Sequence, residues 1–245
     1  MAPARACPGR VLAVYIAMAV THRQGSGMGY QQRAVIYVVL LITCGLGPAV
    51  AGTGDWQPEA DGWGYLRRID NIELYRKPVA GSRFPALLAR TRMAVPAANG
   101  FRVISDYDHF ADFVPAVSAS RVLAQAGANT WVYQRLGLPM LVADRHYVIQ
   151  VTDALEDARN GLVRVSWQLD GNRTRALSPA DAVLPDMFTG SWRLTDTPDG
   201  SGCEAIYTIH VEPGGRLPAW LYSRAAERYV ANVVEAVRVR AMMRK

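Results

Sequence analysis

The chain has 245 residues, half of them hydrophobic and a fifth charged, a length and balance that suit one domain, or two small ones, with a full core. Its formal charge is +6, but four of the 27 basic residues (Arg5, Arg10, Arg23 and Arg33) precede residue 52 with no acid among them, leaving 23 basic against 21 acidic residues. No Lys/Arg cluster with interleaved aromatics follows, so nucleic acid is not an expected partner.

Two apolar runs come first. Val11 to Val20 is short of the roughly 20 apolar residues that span a bilayer. Ala34 to Ala51 follows Arg33 and ends in Ala49-Val50-Ala51. Basic flank, apolar core and small-x-small ending are the parts of a secretory signal cleaved after Ala51. Met28 supplies a start for it. Residues 1–27 then read as an upstream extension, 28–51 as the signal peptide and 52–245 as the mature domain, exported to the periplasm; the alternative is an uncleaved membrane anchor. Leu41-Ile42-Thr43-Cys44 is only a faint lipoprotein box, since Thr43 stands where a smaller residue is preferred. Cys7 and Cys44 fall in the leader. Cys203 alone remains, so no internal disulfide forms, and it reads as a small filler on a strand.

Beyond a Gly- and Trp-rich stretch at 52–64, Ile72 to Val79 and Leu87 to Val95 read as strands joined by a turn at Gly81 and Ser82. Pro96 suits a first helical turn. Phe101, Ile104, Tyr107, Phe110 and Phe113 recur near helical spacing until Pro115. A series of strands follows. Trp131 and Tyr133 alternate with Val132 and Gln134. Arg145, Tyr147, Ile149 and Val151 alternate with Asp144, His146, Val148 and Gln150. Val163, Val165, Trp167 and Leu169 alternate with Arg164, Ser166 and Gln168. After a longer loop come Trp192 and Leu194, then Ala205, Tyr207, Ile209 and Val211, alternating with Glu204, Thr208 and His210. Period two predicts one wet and one dry face, hence an antiparallel meander with hairpin turns such as Asp199-Gly200-Ser201-Gly202.

Pro218 to Met243, free of Pro and Gly, predicts a closing helix of about 39 Å. Ala219, Tyr222, Ala226, Tyr229, Val230, Val233, Val237 and Ala241 form its apolar stripe. Arg224, Glu227, Arg228, Glu235 and Arg238 lie towards the other side. The order of elements is α+β, with the last helix laid across the dry face.

In that order the residues resemble the START family of the helix-grip (SRPBCC) superfamily, in its bacterial form. The stretches that carry the likeness are Asp106–Pro115, Leu138–Val148 (similar to an LPWPVSDRDFV run), Gly190–Leu194 and Pro213–Leu221. Each is weak alone; four in order, covering the chain from about residue 56, are specific. The resemblance implies a START/helix-grip fold: a curved antiparallel β-sheet wrapped around a long C-terminal α-helix, with an internal hydrophobic cavity holding one lipid. Expected ligand-binding residues are Trp131, Tyr133, Arg145, Tyr147, Ile149, Trp167, Trp192, Tyr207, Ile209, Tyr229, Val230, Val233 and Val237. The expected partners are that lipid and, transiently, a membrane. Animal members with an acid and an arginine in the cavity match Tyr133 and Val151 here, which favours a neutral or weakly polar lipid. Arg145 shares the parity of Tyr147, so it points inward or sits at the sheet's end, with an acidic partner expected. His146 and His210 alternate onto the wet face.

No metal or other cofactor is expected. His22, His109, His146 and His210 lack metal spacing, no Gly-x-Ser-x-Gly elbow occurs, and the glycine pairs form no phosphate loop. Asp106, Asp108 and Asp112 read as a solvated face. The superfamily also holds cyclases and hydrolases with similar cavities, so a helix-grip enzyme acting on a hydrophobic substrate is the rival to a lipid carrier.

Overall fold

The computed structural model describes residues 57–137, 143–157, 161–177, 179, 181–215 and 218–244. The stretches read as an upstream extension and a signal peptide, the expected cleavage point and Leu138–Val142 of the family-like run lie outside the described residues.

The strands are β1 (Gly64–Ile69), β2 (Ile72–Lys77), β3 (Ala86–Met93), β4 (Val117–Ala126), β5 (Asn129–Leu136), β6 (Asp144–Asp157), β7 (Leu162–Leu169), β8 (Ala182–Val183), β9 (Met187–Asp196) and β10 (Cys203–Glu212). Helices α1 (Ala97–Ile104) and α2 (Phe110–Phe113) lie between β3 and β4, α3 (Gly171–Leu177) between β7 and β8, and α4 (Ala219–Met243) last. The strands form one curved sheet in the order β1-β2-β3-β10-β9-β7-β6-β5-β4, antiparallel throughout except for β8, which pairs parallel with β6. The α+β expectation holds. On β7, Val163, Val165 and Trp167 are buried while Arg164, Ser166 and Gln168 are exposed, the direct result of period-two side-chain alternation.

Helix α4 packs on the inner face against β2 and β3, and against α1. Val230, Ala231, Val233, Val234, Val237 and Ala241 are its buried residues. Burying each valine contributes roughly 1.5–3 kcal/mol, which is what ties helix to sheet. Its far end is clasped by Arg244, whose Nη1 lies 2.7 Å from Asp106 Oδ2. Asp108 is also engaged, accepting from the Val122 amide at 2.7 Å. These two acids are therefore clasps rather than a merely solvated face. No helix among the described residues is long and apolar enough to cross a membrane.

Three elements depart from expectation. The apolar run from Phe101 to Phe113 is broken: α1 ends at Ile104, a 3-10 turn follows at Tyr107–His109, and α2 is a single turn. Ser105 and Asp106 cause the break, because such side chains compete for the helical backbone. The Ser105 hydroxyl donates to the Phe101 carbonyl at 2.8 Å, and Asp106 leaves helical geometry at ψ 59°. Residues 64–69 form an edge strand with a bulge between Tyr65 and Arg67. The third is α3, which has no apolar stripe to announce it. Asp170 caps it by accepting from the Arg173 amide at 2.9 Å, and its buried Thr174 accepts from the Val148 amide at 2.9 Å. That contact, with the Asp170 amide donating to the Val148 carbonyl at 2.8 Å, seats α3 beside β6 where β7 ends.

Candidate ligand cavity

Residues directly opposed in an antiparallel pair share a face, so the register says what looks inward. Gln134 opposes Tyr147, Val132 opposes Ile149, and Val151 opposes Trp167. Val165 opposes Trp192, which opposes Tyr207 in turn, and Gly190 lies between Trp167 and Ile209. Gly190 has a specific reason to lack a side chain: a Cβ there would overlap the Trp167 ring and the Thr208 carbonyl. Trp167 folds over that bare backbone to stack on Tyr207 at 5.6 Å, and Tyr207 meets Trp192 at 4.7 Å.

Two spaces lie between this face and α4. The larger, about 520 Å³, is lined by Leu87, Leu136, Arg145, Pro185, Ile209, Val211, Tyr222, Ala226 and Val230, among others. Ala225, Arg228 and Asn232 of α4, with Pro115 and Ala116, also line it and are exposed, so they mark its mouth. Ala116 stands there at φ 67°, a backbone region that costs a non-glycine residue on the order of 1 kcal/mol. The inner space, about 50 Å³, is lined by Gln134, Ile149, Trp167, Trp192, Tyr207 and Val233, among others. Tyr147, Phe188 and Tyr229 line both spaces, so one layer of side chains divides them. In that layer Tyr147 and Phe188 stack at 4.3 Å, and the Tyr147 hydroxyl donates to Gln134 Oε1 at 3.0 Å. Burial pushes the phenols of Tyr147, Tyr207 and Tyr229 above their ordinary range, so they remain protonated at neutral pH.

Arg145 is buried, as its parity required, yet no acid meets it among the described residues. Its Nε donates to the Pro213 carbonyl at 3.0 Å and its Nη2 to the Gly214 carbonyl at 3.2 Å, while Nη1 donates to Ala143. Carbonyl dipoles replace the expected carboxylate, and burial lowers the guanidinium pKa from its ordinary value.

Of the expected ligand residues, the structure gathers Arg145, Tyr147, Ile149, Trp167, Trp192, Tyr207, Ile209, Tyr229, Val230 and Val233 around the two spaces. Three are not there. Trp131 and Tyr133 are on the opposite face, because Val132 and Gln134 are the β5 residues that oppose Ile149 and Tyr147. Trp131 donates to Asp170 Oδ2 at 3.1 Å beneath Arg173, and Tyr133 lies under Arg121. Val237 is fully buried but lines neither space. It sits beyond the cavity on the stripe, in the closed core. Gln134 carries no signal of its inward position in the sequence, because its polarity is that of a wet residue. Phe188 does carry a signal in the sequence, since Phe188, Gly190, Trp192 and Leu194 keep period two.

The wet face needs correcting at both histidines. His146 is 0% exposed, beside Tyr133 at 6.1 Å, and neither ring nitrogen has a partner among the described residues. His210 is buried against the β2–β3 connection, with Nε2 3.1 Å from the Phe84 carbonyl. Cys203 is a fully buried filler on β10, its thiol pushed up to about 12 by burial.

The model of a family described as polyketide cyclase/dehydrase and lipid transport matches residues 93–238. An uncharacterized protein of Pseudomonas aeruginosa is 26% identical over 180 residues, 73% of this chain and 86% of that protein. A crystal structure of a STAR-related lipid transfer protein fragment from Xanthomonas axonopodis matches with a TM-score of 0.66 at 24% identity, covering 74% of this chain and 99% of that one. Human StAR-related lipid transfer protein 5 matches with a TM-score of 0.65 at 10% identity, covering 74% and 87%. At these identities the two structures speak to the fold: the curved sheet and long final helix are those of the START/helix-grip class.

Proposed function

The chain belongs to the polyketide cyclase/dehydrase and lipid transport family, and on that premise we propose that it binds a single hydrophobic lipid in this cavity and carries it between membranes as an exported, periplasmic protein. The observation that carries the reading is the larger space. Its volume of about 520 Å³ falls within the range of small-molecule sites, and its lining is almost entirely apolar. Arg145 there is already met by three carbonyls, which suits a neutral or weakly polar ligand. Beside the mouth, Trp220, Arg224 and Arg228 follow one another at four-residue spacing on α4, and all are exposed. An amphipathic aromatic flanked by arginines is the chemistry of an interfacial contact with anionic lipid.

The family description also embraces cyclases and dehydrases. Binding is favoured over catalysis because no described residue lining either space is a histidine or carboxylate, so a general base is missing from the lining. The test is native mass spectrometry of the protein recovered from the periplasm, with extraction of what it holds. One unmodified lipid per chain is the expected result. A protein retained in the membrane fraction, an empty cavity, or turnover of the extracted molecule in a time course would each overturn the corresponding part.

A further inference from the structure

The inner space is small, and its polar groups are unevenly matched. Trp167 is 9% exposed, it lines the space, and its Nε1 is buried with no acceptor among the described residues. The hydroxyls of Tyr207 and Tyr229 make no hydrogen bond to another described residue. The groups placed to answer them are committed. Gln134 Oε1 already accepts from Tyr147, and its Nε2 donates to Ser120 at 3.3 Å. The Tyr107 hydroxyl is turned to Asp153 at 3.3 Å. A buried donor without an acceptor carries its full desolvation cost, of order 1–3 kcal/mol. What remains available around the space is one indole N–H and two protonated phenols, and no cation among the described residues lines it.

We propose that the inner space is a polar subsite for a neutral acceptor, a ketone or ester carbonyl at the leading end of an otherwise apolar ligand, with Trp167 Nε1 as its donor. This rests on the cavity reading above. The apolar body fills the larger space, and the carbonyl passes the layer of Tyr147, Phe188 and Tyr229. Among the described residues Tyr147 is the member of that layer with a hydrogen bond to break, and Phe188 and Tyr229 have none. A carbonyl oxygen offers two lone pairs and no proton, matching a site made of donors. An anion would enter without a counter-charge, which burial penalises heavily.

Three probes of nearly one shape separate the outcomes: 2-acetylnaphthalene, 2-ethylnaphthalene and 2-naphthoate, titrated into the delipidated protein and into Trp167→Phe. The acetyl compound is expected to bind about fivefold more tightly than the ethyl compound, the scale of one net neutral hydrogen bond. Trp167→Phe should erase that preference, so that the two neutral probes bind alike whatever the change in their common affinity. In parallel, the ¹⁵N–¹H indole resonance of Trp167 should move downfield with 2-acetylnaphthalene only, a readout of wild type that holds even if the variant fails to fold. Equal affinity for the two neutral probes with an unmoved resonance overturns the subsite while leaving the cavity reading intact. A preference for 2-naphthoate overturns the neutral class. No binding of any probe overturns both the subsite and the cavity reading.

Discussion

A single side chain decides more here than its place in the sequence suggests. His146 is sealed in the outer face of β6 with both nitrogens unpartnered among the described residues, facing Tyr133, Arg135 and Asp181. Burial first, and the Arg135 charge second, hold its pKa below the ordinary value, against a smaller opposing effect of Asp181. The sign follows from linkage. The unfolded chain takes up a proton below about pH 6.5 and the folded chain does not, so stability is fully present above that pH. It is lost as pH falls towards the folded pKa. His146→Phe removes the group and should flatten this part of the profile: between pH 7.5 and 5.5 the variant loses less stability in urea unfolding than wild type. Parallel curves for the two proteins would show that the imidazole finds a proton acceptor in the fold. His146 also marks what a sequence pattern leaves out. Alternation told correctly that it lies away from the cavity, but a face is wet only where nothing covers it, and His146 is buried there beside Tyr133 and near Arg135 and Asp181.

At the scale of elements, α4 does two jobs along one stripe. Towards its start, Tyr222, Ala226, Tyr229 and Val230 look into open space; further on, Val234, Val237 and Ala241 are packed shut. Paired substitutions should separate the halves. Ala226→Leu adds volume where about 520 Å³ stands open, and should leave the thermal stability of the ligand-free protein nearly unchanged or raise it while weakening ligand binding. Val237→Phe adds volume to a closed core and should cost about 1–3 kcal/mol. Equal destabilisation by both would mean that α4 meets ordinary core along its whole length. The stripe itself was legible from the sequence, since 3.6-residue periodicity reports which side of a helix is dry. Where the cavity ends along it was not, because alanine and valine line a void and a core equally well. Strand β5 shows the converse failure. Large aromatics at Trp131 and Tyr133 read as interior, yet β5 pairs so that Gln134 and Val132 face inward, and the aromatics are covered by Arg173 and Arg121 instead. Residue size could not settle a register that pairing with β6 settles.

For the molecule as a whole, the order of elements and the closing helix were enough to name the fold, because few packings satisfy one long amphipathic helix and one long antiparallel meander. The volume between them is a different kind of fact. Protein interiors are close-packed, and side chains facing a void give up dispersion contacts that they would otherwise make. A space of this size is thus a standing cost to the empty protein, and an occupant that binds only the folded chain restores it. This makes stability a report on occupancy. With 2-acetylnaphthalene at 100 times its Kd, linkage gives about 2.7 kcal/mol of added stability. For a domain of this size that corresponds to a rise in Tm of roughly 5–10 °C. The rise should continue logarithmically with ligand concentration and should shrink in Ala226→Leu, whose cavity is partly filled beforehand. Differential scanning calorimetry of the delipidated protein across a concentration series measures it. Saturable binding with an unmoved Tm would mean that the ligand also holds the unfolded chain, and the cavity between sheet and helix would lose its claim to be the site.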